Sequence, residues 1–117
     1  MKIISRPFHA VLDYIYGAAA LAAPKIAGFE DQENARALSV AAGVGTLVSA
    51  VSTKHEGGIV KLLPFNTHLK VDTATGLFYL AAPWLMGFAE NRRARNTFLG
   101  LGLLSLAVVA LTQPDTE

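Results

Sequence analysis

The stretch HAVLDYIYGAAALAAPKIAGFEDQENAR, residues 9–36, returns as HLKVDTATGLFYLAAPWLMGFAENRRAR at residues 68–95, in an ungapped register 59 positions on. Eleven of the 28 pairs are identical: His9/His68, Asp13/Asp72, Gly17/Gly76, Leu21/Leu80, Ala22/Ala81, Ala23/Ala82, Pro24/Pro83, Gly28/Gly87, Phe29/Phe88, Ala35/Ala94 and Arg36/Arg95. Identity at that level without a gap marks an internal duplication, and a duplication sets the architecture before any single residue is weighed.

Within the helical part of each copy the identities form a stripe. His9, Asp13, Gly17, Leu21, Pro24 and Gly28 step by 4, 4, 4, 3 and 4, as do His68, Asp72, Gly76, Leu80, Pro83 and Gly87. That spacing lies along one face of an α-helix. Off the stripe the copies differ freely, as at Tyr14/Thr73, Tyr16/Thr75 and Ala20/Tyr79. The kept face is expected to be buried, with the first and third helices meeting along it and Gly17 and Gly76 allowing close approach there.

The composition points to a membrane. Charged residues make up 16% of the 117, against about 25% in soluble proteins. Hydrophobic residues are 52% and the mean hydropathy is +0.39. A net charge of +1 gives no electrostatic case for nucleic acid. Cysteine is absent, which removes disulfides and thiolate metal ligands. Lys2 and Arg6 ahead of an apolar run resemble a secretory signal, but Asp13 would interrupt its apolar core and the pattern recurs at 68–88. Residues 8–28 therefore read as a retained transmembrane helix.

The expected fold is all-α: one membrane domain over 1–117, with four transmembrane helices in two hairpins. Repeat 1 spans about 8–53, a connection about 54–67, and repeat 2 about 68–112. The helices are expected at about 8–28, 35–53, 68–88 and 97–111, the first three near the roughly 20 residues that cross a hydrocarbon core. Two spans per repeat make the repeats parallel, related by a pseudo-two-fold axis along the membrane normal. Five cationic residues fall on each side, so the positive-inside rule assigns no orientation. The second helix is rich in small residues, with Ser39/Gly43 and Ala42/Thr46/Ala50 four apart, and is expected to pack on protein, through a homo-oligomer or a membrane partner. The fourth, richer in leucine and valine, is expected to face lipid more. Gly57-Gly58 break the chain after the second helix, and the tail from Thr112 reads as disordered.

His and Asp four apart on a helix can touch. An unpaired carboxylate this deep in a membrane costs about 2.5–3.5 kcal/mol on insertion scales, so each aspartate needs a partner. The candidates are the neighbouring His, the other repeat's His, or Lys54 and His55. His9, Asp13, His68 and Asp72 form the candidate polar cluster and the candidate metal ligands. A plain helix clamp, a metal or haem site and a proton- or solute-handling site all remain open for it. Two N,O-type pairs suit Zn, Mn or Fe over a soft metal. Gly17, Gly76, Gly43, Pro24, Pro83, Gly28 and Gly87 are the expected helix-packing positions. His55, in THEGG, reads as a surface-loop residue. Arg36 and Arg95 read as solvated or facing lipid phosphate, and Trp84 as an interfacial anchor.

The duplicated pattern H-x3-D-x3-G-x3-L-A-A-P-x3-G-F resembles the SPW-repeat family. Its signature triplets stand here as Ala23-Pro24-Lys25 and Ala82-Pro83-Trp84, and the resemblance covers nearly the whole chain. It implies a small prokaryotic integral membrane protein with two transmembrane helices per repeat, and no particular reaction. No nucleophile–base pair, phosphate loop or metalloprotease motif argues for an enzyme. A non-enzymatic interaction or assembly module in a prokaryotic plasma membrane is the leading reading. A small transporter or ion-handling protein and a metal- or haem-binding redox protein are the alternatives. A soluble four-helix bundle is the structural alternative, separated by whether the protein stays in the membrane pellet after an alkaline wash.

Overall fold

The computed structural model describes residues 2–114. Four helices follow one another: α1 (Arg6–Ile26), α2 (Glu33–Ser52), α3 (Phe65–Leu85) and α4 (Arg92–Leu111). Among the described residues there is no strand, only two isolated bridges. Every boundary of the second pair lies 59 positions after its mate in the first: 65 against 6, 85 against 26, 92 against 33, 111 against 52. The helices pack chiefly within hairpins, α1 on α2 and α3 on α4.

Helix starts come earlier than the sequence suggested, most of all for α4, which takes in the basic run Arg92–Arg95. The cause is capping. Ser5, Gln32 and Asn91 accept backbone N–H groups of the first turns of α1, α2 and α4, so the polar segments ahead of the apolar runs become helix rather than loop. Pro7 stands in the first turn of α1, where its missing N–H costs nothing.

The Gly-Phe identity marks where each odd helix stops. Gly28 and Gly87 have φ of +77° and +76°, a left-handed conformation that glycine takes without strain. Phe29 N–H donates to the Pro24 carbonyl (2.9 Å) and Phe88 N–H to the Pro83 carbonyl (2.8 Å), the long bond of a Schellman cap. Both phenylalanines are buried in an apolar cluster with Phe98, Tyr79 and small alanines. Gly28 and Gly87, expected as packing glycines, end helices; a Cβ at Gly87 would meet nothing, whereas one at Gly28 would meet the Arg93 guanidinium of α4. Arg36 and Arg95 also have a local task, donating back to the Glu30 and Ala89 carbonyls of these turns.

Gly17 and Gly76 do pack closely, but not against each other. A Cβ on Gly17 would strike Leu47 and the Gly43 carbonyl of α2, and one on Gly76 would strike Leu106 and Ser105 of α4. Gly43 and its mate Gly102 return the contact: a Cβ on either would come within 2.8 Å of the partner glycine's carbonyl oxygen. The glycine stretch of the stripe thus closes each hairpin on itself, which corrects the expectation of an α1–α3 seam there. Pro24 cannot donate to the Ala20 carbonyl one turn back, and the Ser39 hydroxyl of α2 donates to it instead at 2.6 Å. Ser39, Ala42, Gly43 and Ala50, expected to meet a partner chain, are buried within the bundle.

Two helices, α2 and α4, are long and apolar enough to cross a membrane, with mean hydropathies of 1.4 and 1.6. Of those windows 28% and 17% is buried, so α4 is the more exposed, as its leucines suggested. In α1 and α3 the His and Asp of the stripe lower the hydropathy.

Candidate functional site

The site lies where the hairpins meet, near the starts of α1 and α3. Each first turn is latched by a short bridge to the other repeat's end. The Ile4 N–H donates to the Leu111 carbonyl and the Ile4 carbonyl accepts from the Gln113 N–H; the Leu63 N–H donates to the Ser52 carbonyl and the Leu63 carbonyl accepts from the Lys54 N–H. These latches, Ile4 beside Thr112 and Leu63 beside Thr53, bring the end of each even helix against the start of the odd helix in the other repeat.

That places a threonine behind each histidine. His9 Nδ1 lies 2.9 Å from Thr112 Oγ1, and His68 Nδ1 lies 2.7 Å from Thr53 Oγ1 and 3.0 Å from Ser49 Oγ. Each threonine hydroxyl spends its hydrogen on the carbonyl one turn back, of Val108 or Ser49. The threonine oxygen is then an acceptor, and each Nδ1 must carry a proton and donate it. Thr112, expected in a disordered tail, is buried; residues 115–117 of that tail lie outside the described residues.

With Nδ1 committed, both Nε2 atoms turn inward. His9 Nε2 is 3.2 Å from Asp13 Oδ1 and 3.2 Å from Asp72 Oδ2. His68 Nε2 is 3.0 Å from Asp13 Oδ2 and 3.1 Å from Asp72 Oδ2. The four predicted cluster residues thus come together in one group, each histidine touching the aspartate of its own helix and that of the other. His9 and His68 are fully buried, Asp13 nearly so, and Asp72 keeps 22% of its side chain exposed. Phe65 walls the group, edge-on to His9 and stacked on His68.

The geometry is not that of saturated hydrogen bonding. Asp13 Oδ2 and His68 Nε2 are 3.0 Å apart, yet neither has a hydrogen-bond partner. One donor atom from each of the four residues lies within 4.8 Å of all the others.

His55 joins this group, contrary to its surface-loop reading. It is 2% exposed, with Nε2 3.6 Å from Asp13 Oδ2, and neither ring nitrogen has a hydrogen-bond partner. The segment after α2 is folded over the site by the Tyr14 hydroxyl, which donates to the Gly57 carbonyl at 2.6 Å, and by a two-pronged Arg6–Glu56 pair at 3.0 and 3.1 Å. Beside it, the Arg6 guanidinium holds the Glu56 carboxyl below its ordinary value. Thr53 and Thr112 were legible as an identical pair 59 apart, just beyond the aligned stretch. His55 left no such signal, because Pro114 stands at its matching position.

The SPW repeat domain model covers residues 7–113, nearly the whole chain. This protein belongs to the SPW repeat family. Membership in the SPW repeat family brings membrane association with it. No curated protein and no solved structure matches the chain.

Proposed function

We propose that this SPW-repeat protein is a four-span membrane protein that binds one borderline divalent metal ion between its two hairpins. The ion's ligands are His9 Nε2, His68 Nε2 and one oxygen each of Asp13 and Asp72. The observation that carries the reading is the buried, unpartnered pair Asp13 Oδ2 and His68 Nε2, 3.0 Å apart. Each Nε2 stands 3.0–3.2 Å from an oxygen of both aspartates, and one donor from each of the four residues lies within 4.8 Å of the others, so a small inward shift of the donors would bring them to the distance of about 2 Å at which zinc takes imidazole and carboxylate. Two neutral imidazoles and two carboxylates sum to −2, which one divalent cation cancels in a setting where uncancelled charge is costly. The threonines supply the outer hydrogen bonds that orient metal-bound histidines. Haem fits poorly, because its macrocycle is far wider than a group whose four donors lie within 4.8 Å of one another.

Four spans are supported by the apolar lengths of α2 and α4 and by the 21 residues of α1 and α3, each helix about 30 Å long, with the polar groups of α1 and α3 turned toward one another. The matched register favours a pseudo-two-fold axis along the membrane normal and a multi-pass place in a prokaryotic plasma membrane. Lipid is then the neighbour of the exposed Val40, Val44 and Val48 stripe on α2.

A proton-held clamp is the competing reading, because two added protons cancel the same charge and His9 Nε2 does hydrogen-bond Asp72. Metal content of the detergent-purified protein, with zinc titration of the stripped form, separates the two. About one ion per chain, lost in the Asp13→Asn/Asp72→Asn double variant, is the expected result. No retained metal and no micromolar zinc binding, with a variant that only unfolds earlier, establishes the clamp.

A further inference from the structure

Two cavities reach Asp72, one on each side of the bundle. The first, about 150 Å³, opens between α1 and α4; Leu12, Ile15 and Ala19 face Leu101, Leu104 and Val108, with Asp13 and Asp72 at its floor. The second, about 220 Å³, lies between α2 and α3 and also ends on Asp72. They occupy matching places in the two halves. Where the first has Leu101, Leu104 and Val108, the second has Ala42, Gly45 and Ser49, each 59 positions earlier. The helices that make the two spaces have bounds 59 positions apart, so the apolar lining of the first comes from the residues placed there.

We infer that the α1–α4 cavity is a binding site for a hydroxylated six-membered aromatic ring, a phenolic head group whose hydroxyl donates to Asp72. Size, lining and floor each point that way. A cavity of about 150 Å³ with apolar walls holds a benzene ring. Three of the wall hydroxyls are already spent, Tyr16 donating to the Leu101 carbonyl at 2.9 Å, and Ser105 and Thr75 to the Asp72 carbonyl at 3.0 and 3.2 Å. Beside the Thr46 hydroxyl, the carboxylates are the polar groups for a ligand to meet and the charged acceptors among them, and Asp72 is the more accessible. A carboxylate accepts, so the ligand must donate. A neutral hydroxyl suits a cluster whose charge is already cancelled better than an ammonium does. Ile15 and Leu104 at the mouth are exposed, giving a tail a way out toward lipid. The inference rests on the carboxylate floor and holds whether an ion or protons cancel the charge.

Fluorine NMR of the protein in lipid nanodiscs, titrated with 4-fluorophenol and fluorobenzene, tests it. The expected result is saturable 4-fluorophenol binding, at least about tenfold tighter than fluorobenzene, from one charge-assisted hydrogen bond. Ala19→Phe fills the cavity with the residue type that repeat 2 carries at Phe78, and should abolish the binding while zinc content is unchanged. Leu104→Phe serves the same end should Ala19→Phe not fold. An added 4-octylphenol arm identifies the source: displacement tighter than its membrane partitioning accounts for marks a lipid-borne ligand, and displacement equal to partitioning a water-borne one. Absence of saturable binding, equal binding of fluorobenzene, or binding that survives both filled variants overturns the assignment. Loss of zinc from the wild type with phenol binding intact would overturn the metal reading alone.

Discussion

At matching positions of the two hairpins, Thr53 and Thr112 each support a histidine, whereas His55 covers Asp13 and its mate, Pro114, is exposed and covers nothing. The halves are alike where side chains converge on the centre and unlike one layer out, in the cover and in the cavity walls. Duplication preserved what four donors need in common. It left free what only one side has to do. Asp13 is accordingly the more enclosed carboxylate, at 9% side-chain exposure against 22% for Asp72.

The sharpest way to break that comparison is at the centre. Asp13→Asn and Asp72→Asn should each weaken zinc binding by more than about 100-fold by competition titration, with Asp13→Asn the worse because its neighbours are drier. One of the two being harmless would end the claim of a shared cage. Next come the supports. Thr53→Val and Thr112→Val each strand a buried Nδ1–H, and a loss of about 10–100-fold in zinc affinity is expected from either. Unequal losses would show that Ser49, which has no hydroxyl mate at Val108, supports His68 by itself.

The hairpin seams should respond alike in both halves. Gly43→Ala and Gly102→Ala place a methyl 2.8 Å from a facing carbonyl, and each is expected to cost about 1–3 kcal/mol in detergent unfolding. His55→Ala tests the unlike layer: about a tenfold loss of zinc affinity is expected, and none at all would reduce His55 to a cover. The smallest effect belongs to Glu56→Gln. Because Arg6 lowers the Glu56 carboxyl, its contribution is present above the ordinary glutamate range near pH 4.3 and fades as pH falls through the lower folded value. The variant should therefore unfold slightly earlier than wild type at pH 7 and level with it near pH 3.

The helices and the His/Asp stripe were legible because duplication kept them while their surroundings drifted. The stripe nevertheless mixed three jobs that spacing cannot separate. His9 and Asp13 reach to the other hairpin, Gly17 packs on its own, and Gly28 ends a helix. A stripe names a face, and what the face meets depends on which helix the loops bring against it. The 27–32 turn is short enough to fold α2 back on α1, so the glycines were claimed by the nearer partner. His55 was out of reach for a different reason. It has no mate in the second copy, and its burial comes from Tyr14 and Arg6 tying down a glycine-rich segment that read as exposed.

Each hairpin contributes one histidine and one aspartate, and neither half alone owns a site. The helices pack mainly within hairpins, so an ion at the centre would be a rivet between two otherwise loosely joined pieces. Its binding energy would be spent on assembly: an ion present at 100 times its dissociation constant adds about 2.7 kcal/mol to the assembled form. Starved of metal, such a protein would come apart between its halves before either half unwound, and the bilayer would hold two intact hairpins waiting to be rejoined.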